Sequence, residues 1–377
     1  MTWVVPTELE DIVYAAAASV VGEAAIKSSA VTAAIVDRSK RYTSERDRLA
    51  APTNKTADLA ARAVFFTLAD AMKIAIPLAE LVGRGALPAR RPLRVVDVGA
   101  GCGAMTLGLV AHLVSDLRGD ATFEITAIDR DVDALRIAGA AVRALAERRD
   151  IALAITTRAA DVESTSIPPA DLVLMGNVLN ELSVDAGMAL VERALAAIAP
   201  DGAVIIIEPA LRDTSRNLHA LRDAVLAKQA AHVFAPCTRR GAPCPALADP
   251  DDWCHEDRLI DLPPRTAALS RLTGLRDGGL KFAYLVLRKH DAPLVAAPNA
   301  WRVVSAPRPA KGKLEIYGCS DAGRVPLRLL KRNRSDANRA FERARRGDVL
   351  VAAASVDKDR VELERETVIE RIEPAGR

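Results

Sequence analysis

Apolar residues recur every three or four positions through the first ninety residues, most clearly in Ile12–Ala25 and Lys55–Val82. This period predicts amphipathic helices, and Pro77 is expected to kink or divide the second stretch. We therefore expect residues 1–90 to form a helical N-terminal domain. Its basic residues are expected to lie on a solvated helix face rather than to contact RNA: Arg38, Lys40, Arg41 and Arg46.

From Pro92 onward, short apolar runs alternate with longer segments of helical period. This alternation predicts an α/β domain at residues 91–295, with a parallel sheet covered on both faces. The predicted strands are Arg94–Val98, Phe123–Ile128, Ile151–Thr156, Leu172–Met175, Ala203–Glu208 and Lys281–Arg288. The predicted helices are Met105–Leu117, Val132–Glu147, Asp185–Ile198 and Thr214–His232. A segment rich in Pro, Cys and Asp, at 233–258, is expected to lack regular structure.

The pattern of residues 296–377, the last part of the chain, predicts a small β-rich domain. The predicted strands are Arg302–Ser305, Lys313–Tyr317, Val325–Leu330, Val349–Ala354 and Val361–Ile372. A helix is expected at Asp336–Arg345. Five short strands and one helix are typical of a small barrel of the OB type.

The composition excludes wholesale disorder, because 50% of the 377 residues are apolar and 27% are charged. The first basic residue is Lys27, after four acidic residues, which argues against a secretory or transit segment. No apolar run approaches the ~20 residues of a membrane helix. We expect a soluble, cytoplasmic protein without a membrane partner.

A glycine-rich turn follows the first predicted strand, in the segment Val-Asp-Val-Gly-Ala-Gly-Cys-Gly that starts at Val96. Glycines allow a tight turn and a close approach of the backbone to a ligand. The carboxylate of Asp129, at the end of the next strand, can accept hydrogen bonds from both hydroxyls of a ribose. A nicotinamide dinucleotide would favour Gly-x-Gly-x-x-Gly, and a site for another nucleotide stays open.

The order Asp-x-Gly-x-Gly-x-Gly resembles motif I of the class I S-adenosylmethionine-dependent methyltransferases. It comprises Asp97, Gly99, Gly101 and Gly103. In this interpretation Asp161 lies near the adenine, and Asn177 borders the methyl end. The markers of amine and 5-methylcytosine methyltransferases are missing after the fourth strand. The catalytic residues are therefore unknown, and Asn177, Asn180 and Glu181 are only weak candidates.

Four cysteines form a possible ligand set, in C-x6-C-x9-C spacing plus a distant fourth: Cys237, Cys244, Cys254 and Cys319. The fifth cysteine, Cys102, belongs to the glycine turn. Four thiolates could hold a [4Fe–4S] cluster or zinc, and unliganded cysteines are a third possibility. His255 is a further candidate, as a hydrogen-bond donor near the thiols.

An ordered series of motifs across residues 90–347 resembles one family. It comprises the glycine turn, Val-Leu-Asn-Glu-Leu from Val178, Ile-Glu-Pro from Ile207, Pro-Cys and Pro-Cys-Pro, Trp-Cys-His from Trp253, and Tyr-Leu-Val-Leu-Arg from Tyr284. The chain is similar to the mitochondrial-type methyltransferase-like family of small-ribosomal-subunit assembly factors, which has bacterial relatives. This Rsm-type resemblance implies a class I fold, binding to the small ribosomal subunit, and a [4Fe–4S] cluster on the four cysteines named above.

The chain departs from the family pattern in three places. Thr238–Ala242 replaces Pro-His-Asp-Gly between the first two cysteines, Glu256 replaces an aromatic residue, and Ala210 replaces a glycine. The four thiols are retained. The surroundings of the cluster are where we expect differences.

A basic region lies between Trp301 and Gly347, where 13 Lys and Arg face four Asp and Glu, although the whole chain carries only +3. Such a patch predicts binding to the phosphates and shape of structured RNA, and no DNA partner is expected. The densest part contains Arg328, Lys331, Arg332, Arg334, Arg339, Arg343, Arg345 and Arg346.

These features together predict a methyltransferase-like protein that binds S-adenosylmethionine, contains an iron–sulfur cluster and acts on the small ribosomal subunit. It is either an rRNA methyltransferase or a non-catalytic assembly factor, and the enzyme is the favoured class. The alternative is a small-molecule methyltransferase that does not bind ribosomes.

Overall fold

A nine-stranded sheet organises the chain. The computed structural model describes residues 2–45, 54–117, 121–241, 243–276 and 279–373. The strands of the sheet are β1 (Trp3–Val4), β2 (Leu93–Val98), β3 (Phe123–Asp129), β4 (Leu153–Ala159), β5 (Ala170–Gly176), β6 (Ile198–Pro209), β7 (His232–Ala235), β8 (Glu256–Asp261) and β9 (Gly279–Arg288). Their order is β1-β8-β9-β6-β5-β2-β3-β4, and β7 pairs with β9 beside this path.

The central strands β4, β3, β2, β5 and β6 are parallel, and β9 runs antiparallel to β6. Strand β5 is buried along almost its whole length because helices cover both faces of the sheet. The six predicted strands are confirmed, apart from shifts of a few residues at their ends. The architecture is the Rossmann-like α/β fold of the class I methyltransferases, as expected.

Helices connect the strands, and six of the helices that the structure describes lie between β1 and β2. The helices are α1 (Thr7–Val21), α2 (Glu23–Lys27), α3 (Ser29–Thr43), α4 (Lys55–Ala61), α5 (Leu68–Asp70), α6 (Ala75–Gly83), α7 (Ala104–Leu117), α8 (Val132–Arg148), α9 (Val184–Ala197), α10 (Arg212–Ala227) and α11 (Pro264–Thr273). A π-helix, Arg62–Thr67, separates α4 from α5, and a 3-10 turn, Ala71–Ile74, precedes α6. The stretch Lys55–Val82 is divided, but at residues 62–74 rather than at Pro77, which lies in the first turn of α6. Within the described ranges, no helix is both long and apolar enough to cross a membrane.

The N-terminal helices share one hydrophobic core with the sheet. Leu9 of α1 and Phe65 of the π-helix belong to the same buried cluster as Leu107 of α7 and Ile205 of β6. The N-terminal segment also contributes β1, which pairs with β8. Residue 90 therefore marks a change of secondary structure within a continuous core.

The prediction that the basic residues of the N-terminal helices lie on a solvated face is wrong for two arginines. Arg38 and Arg41 are buried, and each guanidinium lies 2.5 Å from a carboxylate oxygen of Asp58 on α4. Their partner lies on another helix, so the period of α3 alone could not predict it. Lys40 is exposed, and Arg46 lies outside the described residues.

The C-terminal region has its own core and a seven-stranded sheet. Its strands are β10 (Ala300–Val303), β11 (Arg308–Ala310), β12 (Lys313–Ser320), β13 (Gly323–Leu330), β14 (Val349–Ala352), β15 (Val361–Leu363) and β16 (Ile369–Ile372). Strand β10 pairs with β12 and β14, and β12 pairs with β13. The fifth predicted strand is split, because β15 pairs with β13 and β16 pairs with β14. These pairings are those of a small, partly open barrel.

Three local predictions are wrong. The helix expected at Asp336–Arg345 is only a 3-10 turn, Arg339–Arg343, because the buried Asn338 side chain bonds three backbone groups around it. Helix α10 ends at Ala227, and Gln229 has a left-handed φ of 52°. Both ends of the Cys-rich segment are regular, because β7 covers its start and β8 its end.

Gly108 on α7 provides a test of helix packing. A Cβ there would lie 1.8 Å from the carbonyl oxygen of Ala71, in the 3-10 turn against which α7 packs. We expect Gly108→Ala to lower the free energy of unfolding by about 1–3 kcal/mol in denaturant titrations. The matched control is Gly187→Ala on α9, whose added Cβ would meet only Leu179 Cδ2 at 3.8 Å. The control should be neutral or stabilising, by up to about 1 kcal/mol. Equal losses in both variants would contradict this packing.

Candidate functional site

The glycine turn joins β2 to α7 in a backbone conformation that requires glycine. Gly99, Gly101 and Gly103 have φ values of 71°, 53° and 90°. A Cβ on Gly99 would also lie 2.6 Å from Cγ2 of Val178. The turn is therefore packed closely against the chain that follows β5.

A cofactor pocket of about 710 Å³ opens above this turn. Six predicted residues line it: Gly99, Gly101, Asp129, Asp161, Asn177 and Glu181. Gly103, Asp97 and Asn180 are not part of its lining. Residues of the N-terminal helices form the opposite wall, including Tyr42, Asp58 and Phe66. The structure thus brings most of the predicted cofactor residues together at the carboxyl ends of the parallel strands.

Two predicted aspartates have different roles. Asp129 accepts hydrogen bonds from the backbone N–H of Gly101 at 2.8 Å and of Asp131 at 2.9 Å, so it fixes the glycine turn. Asp97 is buried and accepts a hydrogen bond from Thr106 Oγ1 at 2.7 Å. Burial raises the pKa of Asp97 to about 6. Asp97 therefore supports α7 below the pocket.

Arg62, which the sequence patterns did not single out, closes one side of the pocket. It begins the π-helix, and its Nη1 lies 2.5 Å from Oδ2 of Asp131, the N-cap residue of α8. Burial disfavours the charged guanidinium of Arg62, but the neighbouring Cys102, Tyr42 and Asp131 outweigh it, and the pKa of Arg62 is raised. Short π-helical segments are frequent at functional sites. No spacing pattern in the sequence indicates one here.

Asn177 occupies the wall at the end of β5 with a left-handed φ of 57°. Its Nδ2 donates to Asp70 Oδ2 at 3.2 Å, and Asp70 also lies 3.1 Å from Lys73 Nζ and 2.9 Å from Arg276 Nη2. Burial opposes ionisation of Asp70, but these two cations outweigh it and its pKa is lowered. Asn177 Oδ1 is buried without a hydrogen-bond partner in the described part of the chain.

The two other weak catalytic candidates lie on the 3-10 turn Leu179–Glu181. Glu181 faces the pocket and lies 3.6 Å from Arg130, whereas Asn180 interacts with Glu208 behind the wall. Glu208 is buried and accepts hydrogen bonds from the backbone N–H groups of Leu179 and Asn180, at 2.9 and 3.2 Å. Asn180 therefore supports the wall from behind.

The four predicted ligand cysteines line one cysteine cavity, of about 50 Å³, between the sheet and the barrel. Burial raises the pKa of Cys244 to about 11 and of Cys254 to about 12, and it raises the pKa of Cys319 further. The neighbouring thiols add to each rise, so these side chains influence one another. Across the described residues, no three His, Cys, Asp or Glu side chains form a group compact enough to hold a metal ion.

One face of α10 holds the cysteine segment by its backbone. His219 Nε2 accepts a hydrogen bond from the N–H of Cys254, and Asp223 Oδ2 accepts one from the N–H of Cys244. Burial lowers the pKa of His219 to about 4, which keeps it neutral and able to accept. Arg216 donates to four carbonyls of the segment, those of Ala246, Leu247, Asp249 and Asp252. The loop is therefore ordered by side chains of a neighbouring helix.

Further polar contacts attach the same segment to α10 and to the barrel. Arg222 of α10 donates to the carbonyls of Arg239 and Gly241. Thr238 Oγ1 donates to the carbonyl of Cys319 at 2.9 Å, so the loop touches the strand that carries the fourth cysteine. Of the segment Thr238–Ala242, Ala242 lies outside the described residues.

The predicted basic region is only partly available to a partner. Four of its side chains are already engaged: Arg328 with Glu362, Arg334 with Glu342, Arg339 with Asp336, and Arg346 with the carbonyl of His255. Four others are exposed and make no ion pair with any acid in the described ranges: Lys331, Arg332, Arg343 and Arg345. They all lie in the connection between β13 and β14.

Comparison with known proteins gives one family. The family model described as mitochondrial small ribosomal subunit Rsm22 matches residues 78–351, well over half of the chain. This range contains the glycine turn and all four cysteines of the cavity. No curated protein sequence matches the chain.

Solved methyltransferase structures are similar to parts of the chain. Magnesium protoporphyrin IX methyltransferase from Synechocystis PCC 6803, with bound S-adenosylmethionine, is 13% identical, with a TM-score of 0.36, over 68% of this chain and 96% of its own. A putative class I S-adenosylmethionine-dependent methyltransferase from Listeria monocytogenes is 10% identical, with a TM-score of 0.39, over 76% and 91%. An O-methyltransferase family 2 protein from Planctomyces limnophilus is 17% identical, with a TM-score of 0.31, over 67% and 73%.

Arg216 offers a test of how the cysteine segment is held. Arg216→Ala removes its four carbonyl contacts, and we expect amide hydrogen exchange in residues 245–253 to accelerate on the order of tenfold. Lys228→Ala is the matched control, since this exposed lysine at the end of the same helix pairs with Glu192 on α9 and not with the cysteine segment. Unchanged exchange in Arg216→Ala, or equal acceleration in both variants, would contradict the role given to Arg216.

Proposed function

Because the chain belongs to the Rsm22 family, we propose that it binds S-adenosylmethionine, carries an iron–sulfur cluster and acts on the small ribosomal subunit in the cytoplasm. The family description names the small ribosomal subunit. The pocket, the cysteine cavity and the exposed basic residues each support one part of the proposal.

The observation that carries the cofactor assignment is the position of Asp129 beside the glycine turn. Its carboxylate offers about four lone-pair sites, of which two accept backbone N–H groups. The other two are left for the hydroxyls of a ribose. Asp161 and Asn177 line the same pocket, and we assign Asp161 to the adenine and the unpartnered Oδ1 of Asn177 to the methyl end.

When bound, S-adenosylmethionine supplies a methyl group bonded to a sulfonium, and the leaving group is the neutral thioether that remains after transfer. The protein then has to align the acceptor with the methyl group. The wall at Asn177 and Glu181 is placed to do this. The same pocket serves an rRNA methyltransferase or an assembly factor that keeps the cofactor as a structural ligand, and we propose the enzyme first.

The chemistry of the four thiols, rather than their spacing in the structure, supports an iron–sulfur cluster. Cys237, Cys244, Cys254 and Cys319 would supply four thiolates, and a bound metal group would replace the protons that burial keeps on the thiols. Such a cluster would join the loop held by α10 to barrel strand β12. Zinc is the alternative occupant for the same thiolates.

The exposed basic residues between β13 and β14 are proposed to contact phosphates of the rRNA. The four side chains without acidic partners bring uncompensated positive charge to one connection of the barrel. The engaged arginines contribute less, because an acid or a carbonyl already satisfies each of them. Contacts of this kind depend strongly on salt.

The cofactor assignment is tested by Asp129→Ala. We expect its affinity for S-adenosylmethionine to fall on the order of 100-fold in calorimetric titrations, since two charge-assisted hydrogen bonds to the ribose are lost. Asp213→Ala, which removes an exposed aspartate on α10, should bind as the wild type does. Wild-type affinity in Asp129→Ala would contradict the proposed ribose site.

The action on the subunit is tested by mapping methyl groups on small-subunit rRNA from a deletion strain complemented with wild type or Asp129→Ala. Loss of one methylation in the deletion and in Asp129→Ala is the result expected of the enzyme. Unchanged methylation with delayed subunit assembly would identify the assembly factor. Normal methylation and assembly, with no co-sedimentation at low salt, would contradict the ribosomal function and favour a small-molecule substrate.

The basic surface is tested by two double variants that remove the same charge. Arg343→Gln/Arg345→Gln should lower the slope of log Kd against log salt for small-subunit rRNA by about two. Arg334→Gln/Arg339→Gln should leave the slope nearly unchanged, because Glu342 and Asp336 already compensate these arginines. Equal changes in both double variants would contradict the assignment.

A further inference from the structure

Glu208 occupies an unusual position at the end of β6, directly behind the wall of the cofactor pocket. It is 2% exposed. Its two oxygens accept hydrogen bonds from consecutive backbone N–H groups, Oε1 from Leu179 and Oε2 from Asn180. A single carboxylate therefore holds the start of the 3-10 turn that follows Asn177.

This turn carries much of the wall at the proposed methyl end. Asn177, in its left-handed conformation, precedes it, and Val178 packs against Gly99 of the glycine turn. Glu181, at its end, faces the pocket and lies 3.6 Å from Arg130. Displacement of the turn would shift both Asn177 and Glu181 relative to the cofactor.

The surroundings of Glu208 make its charge sensitive to pH. Burial raises the pKa of Glu208 to about 7, although the hydrogen bonds from the turn and the positive charge of Lys73 work against this rise. Burial lowers the pKa of Lys73 to about 8 despite the neighbouring Asp70, whose charge Arg276 also compensates. On the other side, β9 places Ala283 opposite Glu208, and this residue cannot titrate. At neutral pH both the protonated and the ionised form of Glu208 are therefore populated.

We propose that Glu208 is a positioning residue for S-adenosylmethionine, that its ionised form holds the 177–182 turn against the glycine turn, and that cofactor binding releases its proton to solvent. The inference rests on the proposed function, because it assumes that the pocket takes this cofactor. Protonated Glu208 directs an O–H toward one of the backbone N–H donors, so one hydrogen bond is lost. The sulfonium of the cofactor is positive, and its charge favours the ionised carboxylate.

The experiment is calorimetric titration of the full chain with S-adenosylmethionine at pH 6, 7 and 8, in buffers of different ionisation enthalpy. If binding lowers the pKa of Glu208 by one unit, linkage makes the affinity roughly fivefold weaker at pH 6 than at pH 8. The direction follows because a carboxyl group that binds its proton less tightly in the complex favours binding at high pH. A fraction of one proton should appear in the buffer near pH 7.

The variant Glu208→Gln imitates the protonated carboxyl group at all three pH values. It should bind roughly tenfold more weakly than the wild type at pH 8, without pH dependence or proton release. Glu208→Asp keeps a titratable group and should regain pH dependence. Glu192→Gln, an exposed change on α9, is the matched control and should keep the wild-type profile.

A pH-independent wild-type affinity would overturn the inference, and this measurement needs no variant to fold. A wild-type pH profile that persists in Glu208→Gln would overturn it too, by assigning the titration to another group such as Asp97. Absence of S-adenosylmethionine binding to the wild type at every pH would overturn the proposed cofactor and the role of Glu208 together. Binding with the wrong pH profile overturns the role of Glu208 alone.

Discussion

The buried guanidinium of Arg302 holds the barrel to the rest of the chain. It is 3% exposed and donates to Glu80 on α6, to Glu256 on β8 and to the hydroxyl of Tyr284 on β9, at 2.6, 3.2 and 2.8 Å. A buried charge is tolerated only when it is paired, so these groups require one another. Arg302 also lies opposite Cys319 in the pairing of β10 with β12. The docking that buries Arg302 therefore also brings the fourth cysteine to the cysteine cavity.

One run of N-terminal helix contacts both the cofactor pocket and the junction with the barrel. Arg62 and Asp70 lie at the cofactor pocket, and Glu80, a few turns later, is the partner of Arg302 at the junction with the barrel. The changes between π, α and 3-10 geometry in this run place these side chains on the faces where they are used. The N-terminal segment thus completes the pocket and helps to fix the barrel, which agrees with the single core it shares with the sheet.

Features that depend on local pattern could be predicted from the sequence. The alternation of strands and helices and the glycine turn are of this kind, whereas the joint position of the four cysteines follows from the family resemblance. Features that depend on partners distant in the chain could not. The pairing of Arg328 with Glu362, the burial of Arg38 against Asp58 and the hydrogen bond from Asn338 to the carbonyl of Glu364 all arise only when separate segments pack. The π-helix that presents Arg62 has no signature in residue spacing.

The central claim is that docking of the barrel assembles one four-thiolate site from two parts of the chain. The most direct measurement is the iron, sulfide and zinc content of protein purified without oxygen, for the wild type and Cys319→Ser. The account predicts about four irons and four sulfides per wild-type chain, and their loss in a folded Cys319→Ser. Wild-type protein with neither iron nor zinc, or Cys319→Ser with an unchanged iron content, would contradict it. One zinc without sulfide would keep the shared thiolate site and contradict the iron–sulfur cluster.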